Sequence, residues 1–330
     1  YFFNSSHGEF EWAAVAGGSL REPLNDKSFL NFDLEYDYNT YYESEGNWLR
    51  SIVRVGASYN IAKEGFKLKA GLKTASDNVS PPGDTTSSQN SIYFFPDIQT
   101  SYVLGDNILK LYANIGGGLI KNSLKSIAET NPFINTEVNL QNTVERINIS
   151  GGIKGNLFRE LNYNVFAGYR NLDKMLLFVN IDSSLNYLKP IYTGTNSGIF
   201  QTGAEIHYKQ YERFLASAKG TYYQYSFINN QAWNLPTFDL RLSAQYNFQE
   251  KIIGYLNVYA LNSRMGSNDI KTKTWEMKGA IDLSLGVDYQ FNSKTYMYVK
   301  LNNILHQKYM MWNGFPVQGF HLLAGVKIQL

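Results

Sequence analysis

The chain has 330 residues, with 25 Tyr, 20 Phe, 5 Trp and no cysteine, which excludes disulfide scaffolds and Cys-ligated zinc or iron–sulfur sites. A net charge of +2, from 30 basic and 28 acidic groups, supplies no concentrated basic face for a nucleic-acid partner. Hydrophobic residues at 44% with this many rings exclude a disordered chain.

No run of about 18 apolar residues occurs, so neither a transmembrane helix nor a signal-peptide core is expected. The first residue is Tyr1 rather than Met, and a mature or truncated product is the expectation. Alternation of apolar and polar residues dominates, and period two means strands. It predicts about 15 of them. The first four fall near residues 8–21, 28–43, 47–62 and 65–76. They carry a charge pattern on the face expected to line a lumen. Asp33, Glu35 and Asp37 lie on one strand, Arg50 and Arg54 on the next, and Lys67, Lys69 and Lys73 on the third. Opposite signs become neighbours, either as a stripe that steers a charged solute or holds a plug, or as a cross-strand ion-pair ladder that stiffens a wall.

A polar loop at 77–90 precedes strands near 91–105 and 108–122, and a second loop follows at 125–143. Strands near 145–158 and 161–178 lead to a third loop at 180–197. These three loops are candidate extracellular ligand or partner surfaces. Glycine pairs and triplets at Gly17-Gly18, Gly116 to Gly118 and Gly151-Gly152 lie inside strand patterns. They are therefore curvature or close-approach positions rather than phosphate loops. Strands near 198–210, 213–227, 236–249, 251–263, 274–291, 295–308 and 319–330 complete the series. In Phe238 to Phe248 the even positions are all apolar and the odd ones, Asp239, Arg241, Ser243, Gln245 and Asn247, all polar. Near the end, Tyr309, Trp312 and Phe315, with Met310 and Met311, form an apolar loop. It is readable as a recognition patch or as packing in a barrel mouth.

Short turns alternate with long loops, and many strands exceed the about 5 or 6 residues usual in soluble sheets. Aromatics on the apolar face cluster beside the short turns: Tyr59, Phe66, Tyr102, Tyr208, Phe214, Tyr246, Phe248, Tyr289 and Phe291. A membrane girdle explains that placement. The expected fold is all-β, a transmembrane antiparallel up-and-down β-barrel with about 15 to 16 strands visible, forming one domain over residues 1–330. An open sheet would leave edge groups unpaired in hydrocarbon, so the wall is expected to close. With 15 strands the direction of the first one is wrong for a bacterial barrel, which implies a missing amino-terminal strand or a misread first hairpin. A soluble β-sandwich or solenoid is the competing architecture.

The segment Leu301-Asn302-Asn303-Ile304-Leu305, then Lys308-Tyr309, then Trp312 to Gly319 and a closing strand resembles the carboxyl end of TonB-dependent receptors, Bacteroidota members above all. That resemblance implies a bacterial outer-membrane location, lipid around the wall, solute passage or uptake, and TonB or a surface or periplasmic protein as partner, with the solute unknown. Family members also carry a plug of roughly 150 residues and about 22 strands, more than this chain houses, and the terminal Leu330 departs from the usual aromatic. A carboxyl-terminal barrel portion or a plugless relative is the expectation. The alternatives are a non-transporting scaffold barrel and, third, a barrel enzyme. No catalytic, cofactor or metal residue is expected, because His7, His207, His306 and His321 lie on separate segments without a catalytic spacing. An enzyme would need His7 or His321 within hydrogen-bond reach of a serine or carboxylate.

Overall fold

The computed structural model describes residues 2–4, 9–43, 46–81, 88–105, 108–135, 139–180, 187–228, 231–249, 251–269 and 273–329. Sixteen strands form one sheet in chain order, each antiparallel to its neighbours. The first eight are β1 (Phe2–Asn4), β2 (Glu9–Asn25), β3 (Ser28–Glu43), β4 (Gly46–Lys63), β5 (Phe66–Ser80), β6 (Gln89–Leu104), β7 (Leu109–Ile120) and β8 (Thr143–Phe158). The wall continues through β9 (Leu161–Asp173), β12 (Ser197–Gln210), β13 (Phe214–Ser226), β14 (Phe238–Phe248), β15 (Ile252–Leu261), β18 (Ala280–Asn292), β19 (Thr295–Asn302) and β22 (His321–Ile328). The remaining elements sit in the long loops. They are the helix α1 (Leu124–Thr130) and three hairpins: β10 (Leu176–Val179) with β11 (Lys189–Tyr192), β16 (Arg264–Asp269) with β17 (Lys273–Met277), and β20 (Met310–Trp312) with β21 (Phe315–Pro316).

The strands are long, up to 18 residues in β4, because period-two patterning runs on without a breaker. Short hairpins join them at one end. Between β4 and β5, Glu64 and Gly65 both take positive φ, 43° and 82°, the two-residue turn whose twist matches the flanking strands. A Cβ at Gly65 would also lie 3.1 Å from the Val103 carbonyl, so this turn needs glycine twice over.

A single curved wall leaves both faces open. The accessible surface is 19546 Å², against about 14,000 Å² for a compact monomer of this mass. The outward face holds Leu34, Val55, Leu72, Phe94, Val165, Ile281 and Val326, all more than a third exposed. The inward face alternates with it and carries the charged residues, together with a buried apolar cluster of Ile52, Ala75, Phe95, Leu119 and Val144.

Several sequence expectations change in detail. Among the described residues the wall has sixteen strands, the upper end of the expected 15 to 16, since β1 pairs with β2 through Phe2↔Glu11 and Asn4↔Glu9. The added strand, β1, lies at the first hairpin of the expected series. The segments 161–178, 274–291 and 295–308 are not single strands. The wall strands there are β9, β18 and β19, and the rest belongs to loop hairpins or turns whose alternation continues the same pattern. The 77–90 loop shrinks, because β5 reaches Ser80 and β6 starts at Gln89. Among the described residues the ladder has two ends, β1 and β22, with no pairing between them, so the expected closure is not made by these strands alone. The triplet Gly116 to Gly118 does mark a break in regularity, a register shift where β7 meets β8.

Candidate functional site: a charged lumen under a loop roof

On β3, residues Asp33, Glu35 and Asp37 alternate and therefore share the inward face. Pairing sets Glu35 opposite Arg54 and Asp37 opposite Ile52. Arg54 Nη1 donates to Glu35 Oε1 at 2.5 Å and lies 3.8 Å from Asp37 Oδ2. Lys121 Nζ reaches Asp37 Oδ1 at 2.6 Å. Lys69 and Lys73 turn away from these acids to Asp97, at 2.6 and 3.2 Å. Asp97 is buried and stands opposite Gly71 in the β5–β6 ladder. A side chain at position 71 would collide with Ala57 and Ser58, so glycine leaves the space into which both lysines converge. Asp33 accepts from Asn31 Nδ2 at 2.7 Å. Lys67 stands apart from these ion pairs and, with Lys110 and Lys154, lines a cavity of about 590 Å³ toward the short turns. Arg50 is buried. The stripe is thus a set of cross-strand pairs for Glu35, Asp37, Arg54, Lys69 and Lys73. Asp97 and Lys121 are the members that sequence reasoning missed, and Asp97 was legible as an acid opposite a glycine flanked by two lysines.

Asp97→Asn leaves Lys69 and Lys73 without a counter-charge. The expected loss is about 2 kcal/mol, below the 3 to 5 for a fully buried pair because Lys73 is half solvated. The urea midpoint of the purified protein measures it. An unchanged midpoint would assign the pairs no structural weight.

Above the charges the long loops converge. Tyr41, Leu124, Ile127, Leu140, Phe178 and Leu188 form one buried cluster, with Trp48, Ile134, Leu176, Trp312 and Phe315 packed against it. Phe315 stacks on Phe133 at 4.1 Å, and Trp312 meets Phe178 edge-on at 5.0 Å. A second cluster joins Leu177, Val179 and Trp233. Buried polar groups lock the two together. Asn234 Nδ2 donates to the Phe178 carbonyl at 2.7 Å, the Asn313 amide donates to Asn234 Oδ1 at 3.0 Å, and Asn313 Nδ2 donates to the Ser267 carbonyl at 2.8 Å. Arg264 donates to the carbonyls of Met310 and Met311. At the other side, Glu11 accepts from Asn39 and from the Lys125 amide in the first turn of α1. The loops expected to be polar surfaces therefore enclose a core of their own. The described parts of 125–143 and 180–197 help to build it, while residues 82–87, 136–138 and 181–186 lie outside the described residues.

Of the three loop aromatics singled out, Trp312 and Phe315 are half-buried in this roof. Tyr309 donates to Asp282 Oδ2 at 3.2 Å. Burial first, then the Asp282 charge, pushes its phenol up to about 12. A raised folded value favours the neutral form, so this contribution to stability is complete below the ordinary phenol range near 10 and lost as pH climbs through about 12. In a phenolate absorbance titration, wild type minus Tyr309→Phe is expected to show one group ionising near pH 12. A difference curve centred near 10 would contradict the buried geometry.

The nine aromatics beside the short turns lie on the outward face, and most are more than a third exposed. Tyr208, Phe214 and Tyr246 follow one another across three strands at 5.9 and 6.4 Å, with Phe248 6.5 Å from Tyr246. A second belt near the long loops includes Trp12 against Tyr38 at 5.7 Å. Along β14, Phe238 and Phe248 bracket a band about 25 Å tall at the usual strand tilt.

The three described histidines do not come together. His207 Nε2 is 2.9 Å from Glu205, its neighbour on the same face of one strand. His321 contacts Asn302 and the Gly319 carbonyl rather than a serine or carboxylate. His306 accepts from the Phe320 amide. His7 lies outside the described residues.

Known structures share this architecture. The chain superposes on the copper transporter OprC with a TM-score of 0.73 and 12% identity, covering 98% of this chain and 57% of that one. The FrpB iron transporter from Neisseria meningitidis (F3-3 variant) gives 0.72 and 13%, with 97% and 55% covered. The siderophore receptor PiuA from Acinetobacter baumannii gives 0.65 and 12%, with 97% and 56% covered. No protein-family model matches the sequence, and no curated protein matches it significantly. The likeness is one of fold, an all-β antiparallel meander of the TonB-dependent receptor barrel type. The chain spans little more than half the length of these structures.

Proposed function

We propose that residues 1–330 belong to one barrel domain of a bacterial outer membrane and serve solute passage or uptake in the manner of TonB-dependent receptors. The observation that carries this reading is a lumen face of paired charges, enclosed by an outward apolar wall and covered at one end by packed loops. A polar path behind a removable cover is what uptake requires, and a water-filled or plugged lumen is the usual interior of such barrels. The matched structures are described as transporters of copper and iron and as a siderophore receptor, and the same kind of role is the one we extend to this chain. Outer-membrane lipid covers the apolar face, with the aromatic belts at its two interfaces. TonB, or a surface or periplasmic protein, is the partner this role implies.

Purified protein in liposomes is expected to bind or admit small polar solutes. If it neither conducts nor binds any solute, the uptake reading fails. The second reading is a scaffold barrel without transport, favoured by the bulky rings of Phe133, Phe315, Phe178 and Trp312 that fill the mouth. A protein extracted from native membranes with a stoichiometric partner, and silent in flux measurements, would select it.

A further inference from the structure

Arg50 is 6% exposed, and among the described residues its Nε has no hydrogen-bond partner. Among the described residues its hydrogen bond runs from Nη1 to the Asn122 carbonyl, at a long 3.5 Å. The nearby acid Asp37, which shares a cavity of only about 10 Å³ with it, is already held by Lys121 and Arg54. A guanidinium withdrawn from water without a counter-charge is costly unless something supplies one.

Beside it opens a cavity of about 380 Å³, lined among others by Trp48, Arg50, Asp77, Gln141, Asn142 and Lys174. That volume lies in the range of small-molecule sites. Trp48, stacked on Tyr41 at 5.9 Å, gives one apolar wall. Asn142 is fixed by donating to Asp77 Oδ1 at 3.0 Å and by accepting from the Asn122 amide at 3.1 Å. Lys174 is exposed at the rim and adds a second positive charge.

We propose that this cavity binds the carboxylate of a small polar solute through the Arg50 guanidinium. The planar fork of arginine matches a carboxylate in two parallel bonds. Asp77 on another side of the cavity favours a solute that carries an ammonium or other donor at its far end, as an amino acid or short peptide does. The site lies on the inward face of β4, directly beneath the roof, where a solute arriving from the long-loop end meets it first. The proposal deepens the uptake reading by naming a substrate class, and it rests on that reading only for the direction of travel.

The test uses the full chain in detergent and isothermal titration calorimetry with γ-aminobutyrate, its carboxamide and inorganic phosphate. γ-Aminobutyrate is expected to bind saturably and the carboxamide not. Arg50→Gln is expected to weaken binding about tenfold or more, the loss of a charge-assisted pair, and Lys174→Gln to weaken it less. Unheated gel mobility establishes that each variant remains a folded barrel. Arg50→Lys is the second variant, expected to retain part of the affinity if Arg50→Gln fails to fold. Equal binding of acid and amide, no binding of the acid, or Arg50 variants indistinguishable from wild type would overturn the site. Tighter binding of phosphate would overturn the carboxylate assignment. Flux in liposomes separates the two readings. Solute passage without Arg50-dependent binding keeps uptake and removes the site, whereas binding without passage keeps the site and removes uptake.

Discussion

Leu242→Arg is expected to lower stability in phospholipid vesicles by about 2–4 kcal/mol, while Ser243→Arg, one residue further on, changes it by less than about 1 kcal/mol. Leu242 lies midway along β14, opposite Ala218 on one side and Val258 on the other, on the outward face. Ser243 faces inward, its hydroxyl 2.7 Å from that of Ser217. Adjacent strand residues differ in face and in little else, so the pair isolates the environment. A guanidinium at the centre of hydrocarbon has no partner, whereas in a watery lumen it stays hydrated. Urea titrations of both variants refolded into vesicles measure the difference. Equal costs would mean that the outward face does not contact lipid, and the membrane reading would fall with that result.

The second large effect concerns the roof. Trp312→Ala removes the ring that meets Phe178 and borders the buried loop cluster. Full burial would make the loss about 3–5 kcal/mol, and half-burial brings it to about 2 or 3. The loops hold one another, so this energy is shared by distant segments. Amide exchange in α1 and in β10 is expected to accelerate by about 30-fold to about 150-fold, with the wall strands unaffected. Conductance through the reconstituted protein rises with it. Exchange confined to the β20–β21 hairpin would show that the roof is not a cooperative unit, and unchanged conductance would show that it does not limit passage.

The wall was legible because its physics is local. Alternation from Phe238 to Phe248 dictates two faces whatever the neighbours are, and the Glu64-Gly65 turn fixes the register of β4 on β5. The pairing of Arg54 with Glu35 belongs to the neighbouring β3–β4 ladder, which runs in unbroken register to Glu43 opposite Gly46. The roof was legible only on one side: the apolar loop of Trp312 and Phe315 could be read as packing in a barrel mouth, whereas its partner Phe133 lies in a segment whose polar composition reads as solvated loop. Their contact depends on the curvature of the whole sheet, which brings the ends of distant strands together. Arg50 illustrates the same limit. Its place in a charge stripe could be read from alternation, but its lack of an acidic partner among the described residues depends on where Asn122 and Asn142 bring the next loop.

The stack of Phe133 on Phe315 also orders the assembly of the molecule in time. Wall contacts join neighbours in the sequence, so hairpins form and add one after another at small loop-closure cost. The roof alone ties position 133 to position 315, and nothing can complete it until the last hairpin has crossed to the far side. Biogenesis therefore passes through an uncapped intermediate, with the wall largely zipped and the loop cluster still exposing its rings. A protease offered to the long-loop side during insertion would find a brief window of cleavage there, which closes when β20 and β21 arrive.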